Sequence, residues 1–374
     1  MIKRYFEIDN LLQNQKVLVI YGPRRVGKTT LLKNYLTGFP QKYKLDSGDN
    51  ISVQHILSSQ DFVLIKDYAQ GYDLIAIDEA QQIKNIGMGL KILVDNNPNL
   101  KIIVTGSSSF DLSQKIGEPL TGRKRTITLY PFSQQELLAK YNKFELKEKL
   151  DEFLIFGSYP EVITTETRSE KIEVLNELVN SYLLKDILAI ENIRGSKSLF
   201  DLLKLLAFQV GSQVSLNELS TQLKIDVKTV GRYIDILEKG FVIKRLSAFS
   251  RNLRNEVAKK SKYYFWDNGI RNAVILQFNQ LKNRNDVGQL FENFMMLERI
   301  KYLSNNFIHT QSYFRRTYSG QEIDLIEERE GKLLAFEFKF SETASVRAPK
   351  DFLNEYIDSK FSVVNTKNYL DFIL

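Results

Sequence analysis

Eight consecutive residues, Gly22-Pro23-Arg24-Arg25-Val26-Gly27-Lys28-Thr29, restrict this chain more than any others, because they match G-x-x-x-x-G-K-[ST]. The apolar run Val17-Leu18-Val19-Ile20 before them reads as a buried strand, and Thr30-Leu31-Leu32-Lys33-Asn34-Tyr35-Leu36 after them as a helix. Strand, glycine-rich turn and helix in that order form a βα unit whose loop curls around phosphate. The glycines let successive N–H groups face phosphate oxygens, Lys28 reaches the β- and γ-phosphates, and the Thr29 hydroxyl ligates magnesium. The helix N-terminus adds a partial positive charge. A nucleotide site formed by Gly22, Pro23, Arg24, Arg25, Val26, Gly27, Lys28, Thr29 and Thr30 is expected, with ATP and Mg²⁺ as cofactors.

Further parts of such a site follow in order. Leu74-Ile75-Ala76-Ile77 ends in Asp78-Glu79, as a parallel strand does at the carboxyl edge where ligands bind. Asp78 is placed to hold the magnesium shell and Glu79 to polarise an attacking water. A third strand, Lys101–Thr105, runs into Gly106-Ser107-Ser108-Ser109, whose hydroxyls either sense the γ-phosphate or cap the next helix. A fourth, Thr126–Tyr130, follows Gly122-Arg123-Lys124-Arg125. Arg123 reads either as a finger on transition-state charge across a subunit contact or as part of a plain basic loop.

The 374 residues suffice for two or three domains. With no cysteine and only His55 and His309, neither disulfides nor a structural zinc site is expected. No apolar run approaches the ~20 residues that span a bilayer, and the first residues lack a signal peptide's apolar core, so no membrane partner and a cytoplasmic location are expected. The net charge of +7 is unevenly spread. Between Lys224 and Lys262 eleven Lys/Arg face four acids, a local balance of 11 − 4 = +7. Such a field suits a polyanion.

Residues 1–132 alternate strands and helices and read as a P-loop parallel sheet, and residues 133–195 turn helical, as a lid or as a spacer packed elsewhere. Residues 196–261 have a third rhythm: a helix over Leu216–Leu223, a turn at Lys224–Asp226, a helix over Val227–Lys239 capped by Asp226 and closed by Gly240, and a strand over Phe241–Leu246. That order is a winged helix-turn-helix pattern. It places Lys228, Thr229 and Arg232 on an exposed recognition face, with Lys244 and Arg245 on the wing. Such modules also serve as lids and protein-docking surfaces.

Residues 262–374 carry a second chemical signal. Ile323–Ile326 and Leu333–Lys339 read as a hairpin that puts Asp324 on one strand and Glu337 with Lys339 on one face of the other. A helix marked by Val287, Leu290, Phe291 and Phe294 adds Glu292. Asp324 and Glu337 can hold Mg²⁺ while Glu292 and Lys339 complete a nuclease-type site, although Glu-Lys alternation also marks an ordinary solvated strand.

Together these residues resemble a large family of prokaryotic AAA+-type, archaeal-ATPase-like proteins with a C-terminal domain of unknown function. The resemblance covers nearly the whole chain. It is carried by Gly22–Thr30, Ile77-Asp78-Glu79-Ala80-Gln81, Val104–Ser108, Leu120–Arg123 and Tyr130–Leu137. It continues through Phe156-Gly157-Ser158-Tyr159-Pro160-Glu161, Tyr182–Ile187 and Phe265-Trp266-Asp267-Asn268-Gly269-Ile270-Arg271, and ends in Gly320–Asp324 with Glu337-Phe338-Lys339, which looks like the PD-(D/E)XK core. The resemblance implies Mg²⁺-dependent ATP binding and hydrolysis, a winged helix and a restriction-endonuclease-like α/β end, in a multidomain α/β protein. DNA is the expected effector or substrate. A homo-oligomer, or a protein partner reading a nucleotide-gated switch, is also compatible. A metabolic nucleotide kinase is disfavoured, because no small-substrate pocket is evident after Ser133.

Overall fold

A computed structural model of the chain describes residues 2–106, 117, 119–183, 196–249, 260–316, 321–344 and 346–374. They form two compact units. One is Arg4–Tyr130 with Lys239–Phe241; the larger is Pro131–Glu238 and Val242–Leu374 with the first three residues.

In the first unit β1 (Val17–Tyr21), α1 (Lys28–Thr37), β2 (Tyr43–Ser47), α2 (Ile51–Ser58), α3 (Phe62–Ala69), β3 (Leu74–Asp78), α4 (Ile86–Asn96), β4 (Lys101–Gly106) and β5 (Lys124–Thr128) follow one another. The strands make a five-stranded sheet in the order β2-β3-β4-β1-β5, parallel throughout. All five residues of β1 are buried, which is why that strand reads as an unbroken apolar run rather than an alternation. Val19, Ile75, Ile77, Leu90, Leu93, Ile102 and Val104 share the core. Helix starts are set by short polar side chains: Asn50 accepts from the Ser52 N–H, and Asp61 from those of Val63 and Leu64. β5 begins two residues earlier than its apolar pattern suggests, because Lys124 and Arg125 pair with Val17 and Leu18. A parallel sheet gathers every strand's carboxyl end at one edge. Gly22, Asp78 and Thr105 therefore lie at that edge, whereas Arg123, whose carbonyl accepts from the Val17 N–H, lies at the opposite one.

The larger unit opens with α5 (Gln134–Leu137), α6 (Lys143–Glu148), α7 (Leu150–Phe156), α8 (Pro160–Thr164) and α9 (Arg168–Glu177). This is the segment read as a lid or spacer. Its anchors run to later helices of the same unit: Glu298 accepts from the Gln134 N–H, and Asn272 donates to the carbonyls of Leu154 and Ile155. Then come α10 (Ser196–Phe208), β6 (Gln213–Val214), α11 (Leu216–Leu223), α12 (Val227–Lys239), β7 (Ile243–Ala248) and β8 (Ser261–Phe265). Asp226 caps α12 through the N–H groups of Lys228 and Thr229, and Val230, Tyr233, Ile234 and Leu237 form its buried stripe. Phe241 is not in the strand as expected. It takes a left-handed φ of 56°, and pairing starts at Ile243.

The chain ends with α13 (Asn268–Val274), α14 (Val287–Asn305), β9 (Gln311–Arg316), β10 (Glu322–Arg329), β11 (Lys332–Lys339), α15 (Lys350–Glu355), β12 (Lys360–Asn365) and α16 (Tyr369–Ile373). β7 pairs with β8 antiparallel and with β9 parallel. The hairpin following α12 is thus continuous with the C-terminal strands, in the order β12-β11-β10-β9-β7-β8-β6. A division between residues 261 and 262 would cut β8 at its first residue.

Two of the motifs behind the family resemblance meet in this unit. Asp267 accepts from the Ser158 N–H at 2.7 Å and caps α13 through the Ile270 N–H at 3.1 Å. Arg271, two per cent exposed, donates to Asp286 at 2.6 Å and to the Ala207 carbonyl at 2.7 Å. Asp267→Ala strands two buried donors and is expected to cost about 2–4 kcal/mol. Trp266, the chain's single tryptophan, is buried beside it, so urea unfolding followed by its fluorescence measures the loss.

Candidate functional site

The loop between β1 and α1 has a shape only glycine allows. Gly22 has φ of 150°, and a Cβ there would fall 2.0 Å from the Leu129 carbonyl oxygen; Gly27 has φ of 90°. Arg25, between them, is held at φ of 58°. Val26 is fully buried, Arg24 and Arg25 are half-buried, and Thr30 is exposed on the first turn of α1.

Lys28 is buried, and its ammonium donates to the carbonyls of Gly22 at 2.9 Å and Pro23 at 2.8 Å. Neutral carbonyls compensate a desolvated cation only in part. Burial therefore pulls Lys28 down to about 8, against the opposing pull of Glu79 and Asp78. From the next turn position the Thr29 hydroxyl donates to Asp78 Oδ2 at 2.7 Å. Thr105, at the tip of β4 between β1 and β3, donates to Asp78 Oδ1 and accepts from the Glu79 N–H at 3.2 Å. Glu79 turns out of β3 with φ of 51°, and its carboxylate accepts from Gln81 Nε2.

One edge of the sheet thus joins a desolvated cation, a curled loop and a hydroxyl–carboxylate pair. Hard oxygen donors beside phosphate-facing N–H groups are what Mg²⁺ and a nucleotide phosphate require. The residues fit both. Sequence reasoning passed over Thr105; a polar residue ending an apolar strand at this edge was the available signal. Ser107, Ser108 and Ser109 lie outside the described residues, as do Lys185 and Asp186. Arg123 does not reach this site within one chain. At the far edge of the sheet it pairs with Asp95 at 2.7 Å, both side chains well exposed.

The larger unit does bring Glu292, Asp324, Glu337 and Lys339 into one neighbourhood, but around a residue that sequence reasoning assigned elsewhere. Lys262, on β8, is one per cent exposed. Its Nζ lies 2.9 Å from Glu292 Oε1, 2.8 Å from Glu322 Oε1 and 3.2 Å from Asp324 Oδ1. Tyr264 donates to the same Glu292 oxygen at 2.7 Å. The other Asp324 oxygen accepts from the Phe338 N–H at 2.9 Å, and Lys339 donates to Glu337 Oε1 at 2.8 Å. A register shift in β10 between Ile323 and Ile326 accounts for the aim: both isoleucines reach the core although three residues apart.

Burial works to pull Lys262 down, but Tyr264, Glu292, Asp324 and Glu322 together hold it well above the usual lysine range. Burial, reinforced by Asp324, raises both Glu292 and Glu337 above the usual carboxylate range. Among the described residues no group of three acidic or histidine side chains is placed to take a metal ion, and the three carboxylates that meet here meet on the Lys262 ammonium. Glu337 Oε2 is buried without a hydrogen-bond partner among them, whereas both Asp324 oxygens and Glu337 Oε1 are engaged by Lys262, the Phe338 N–H and Lys339. The expectation of a Mg²⁺ site on Asp324 and Glu337 is not met by this donor set.

The expected nucleic-acid residues divide. Lys228 and Arg232 are exposed on α12 and Thr229 is half-buried beside them. Arg245 is instead held by Glu238 at 3.0 Å and Asp235 at 2.8 Å, and Lys244 lies 3.8 Å from Glu238. Of the eleven cations in the basic segment, Lys262 is buried, and Arg251, Arg254 and Lys259 lie outside the described residues. Lys262 therefore adds nothing to the surface field that the composition implies.

Residues 14–138 match the profile of an AAA domain, residues 147–282 that of a domain of unknown function, DUF8612, and residues 287–372 that of another, DUF4143. An uncharacterized protein of Methanocaldococcus jannaschii is 26% identical over 98% of this chain and 84% of its own length. One of Haemophilus influenzae is 26% identical over 91% and 87%. Among solved structures, a signal transduction ATPase with numerous domains and a tetratricopeptide repeat sensor, from Pyrococcus horikoshii, is 14% identical with a TM-score of 0.29. The likeness covers 80% of this chain but only 45% of that one, and is too loose to define a shared fold. The first unit is an AAA-type P-loop ATPase domain with an α/β parallel sheet. Among the described residues no helix is long and apolar enough to cross a membrane.

Lys28 links nucleotide affinity to pH. The free amine loses its proton as pH rises through about 8, whereas a bound triphosphate holds that proton in place. ATP affinity is expected to be full below this range and to fall by up to roughly tenfold per pH unit above it. Calorimetry in buffers of different ionisation enthalpy checks the matching proton uptake.

Proposed function

We propose that this chain binds and hydrolyses Mg²⁺-ATP and uses the cycle to control engagement of DNA by the larger unit. The observation that carries the reading is the Thr29–Asp78–Thr105 hydrogen-bond chain beside the buried Lys28. Lys28 and the loop N–H groups between Gly22 and Thr30 receive the triphosphate. Thr29 and Asp78 would hold the magnesium, which would supply positive charge against that developing on the phosphoryl oxygens. Glu79, released from Gln81, orients the attacking water and accepts its proton. Thr105 keeps Asp78 and Glu79 in register through one hydroxyl.

DNA is the effector we favour, met by α12 through Lys228, Thr229 and Arg232, with Lys244 and Arg245 shaping the adjoining strand. The second half of the chain would then read DNA, with cutting outside its role. A second reading, a nucleotide-gated switch whose larger unit docks a protein, is favoured by one feature: Arg245 is engaged by Asp235 and Glu238, so it presents little charge to phosphate. Salt separates the two, since phosphate contacts weaken steeply with ionic strength.

Two experiments follow. Lys28→Ala is expected to weaken ATP binding roughly a hundredfold, while Glu79→Gln keeps binding and loses about 10²–10⁴-fold in turnover. Equal turnover in Glu79→Gln and wild type would remove the hydrolytic assignment. Lys228→Ala and Arg232→Ala are each expected to reduce the slope of log affinity for DNA against log salt by about 1. Fluorescence anisotropy across a salt series measures it, and an unchanged slope favours the protein-docking reading.

A further inference from the structure

A carboxylate cluster at the junction of a helix and a sheet edge invites a divalent cation. Here the space among Glu292, Glu322 and Asp324 is taken. The Lys262 ammonium has one oxygen of each within 3.2 Å, and almost no solvent reaches it. Three N–H donors meeting three carboxylates is the full complement for an ammonium. A metal bound to the same oxygens at roughly 2.0–2.6 Å would have to share the space with Nζ and meet its charge unscreened. Two of the three acids have a further partner: Tyr264 donates to the Glu292 oxygen that Lys262 meets, and the Phe338 N–H to the other oxygen of Asp324.

We propose that Lys262 is the resident cation of this cluster, standing where a divalent ion would otherwise be held, so that the chain closes its own nuclease-like site. The three elements it ties, β8, β10 and α14, are thereby fixed to one another by charge. The β6-β8-β7 end of the sheet stays keyed to the strands that carry Asp324 and Glu337. The same arrangement gives Lys262 a positioning role that metal would take over if the lysine were removed. The inference is independent of nucleotide binding.

The test uses the full chain carrying Asp78→Asn, so that Mn²⁺ held at the phosphate loop does not contribute. Mn²⁺ is titrated by electron paramagnetic resonance, and melting is followed with and without Mn²⁺. With Lys262 present, no Mn²⁺ is expected to bind below millimolar concentration and melting should not respond. Lys262→Met is expected to gain one Mn²⁺ per chain and a metal-dependent rise in melting temperature, both abolished by adding Asp324→Asn. If Lys262→Met does not fold, the double variant Lys262→Met/Glu322→Gln, which removes one charge of each sign, takes its place. Mn²⁺ bound by the Lys262 chain and lost in Glu337→Gln would overturn the proposal. So would a folded lysine-free variant that binds none.

Discussion

A lysine withdrawn from water must find negative charge, and two lysines of this chain meet that demand in opposite ways. Lys28 has carbonyl oxygens and only distant help from Asp78 and Glu79, and burial leaves it near 8. Lys262 is gripped by three carboxylates and stays charged well beyond the usual range. The first is a cation kept short of partners inside a loop shaped for phosphate. The second is already satisfied. That contrast assigns ligand binding to the N-terminal unit and a structural task to the C-terminal cluster.

The parallel sheet makes the first arrangement possible. With β4 between β1 and β3, the loop, Thr105 and Asp78 stand side by side at one edge. Each is fixed by backbone that is buried on both faces, so the hydroxyl and carboxylate oxygens lose little freedom when a nucleotide arrives. The same geometry sends Arg123 to the other edge. In the larger unit, charge and hydrogen bonding do comparable work between distant segments, with Asp267 on Ser158 and Arg271 on Asp286.

Much of this was legible from residue order. The phosphate loop, the strand ending at Asp78 and the helix Val227–Lys239 announce themselves through local rules: glycine at forced φ, an unbroken apolar run, an N-cap and a 3.6-residue stripe. What stayed hidden depends on pairing across the chain. Lys262 looks like one more cation in a basic segment until the fold brings its side chain to Glu322 and Asp324 of β10 and Glu292 of α14. Arg245 looks free until α12 folds Asp235 and Glu238 against it. The register shift in β10 that aims Asp324 leaves no mark in the alternation of Ile323 to Ile326. Net charge counted along a sequence cannot separate a buried ion pair from a surface field.

A bound triphosphate would complete the coordination that Lys28 lacks. A crystal structure with a non-hydrolysable ATP analogue and Mg²⁺ tests it most directly. The Lys28 ammonium is expected to leave the Gly22 and Pro23 carbonyls for the β- and γ-phosphates, with Thr29 and Asp78 turned to the metal. Analogue bound away from this loop, or Lys28 still on its two carbonyls beneath a bound nucleotide, would contradict it.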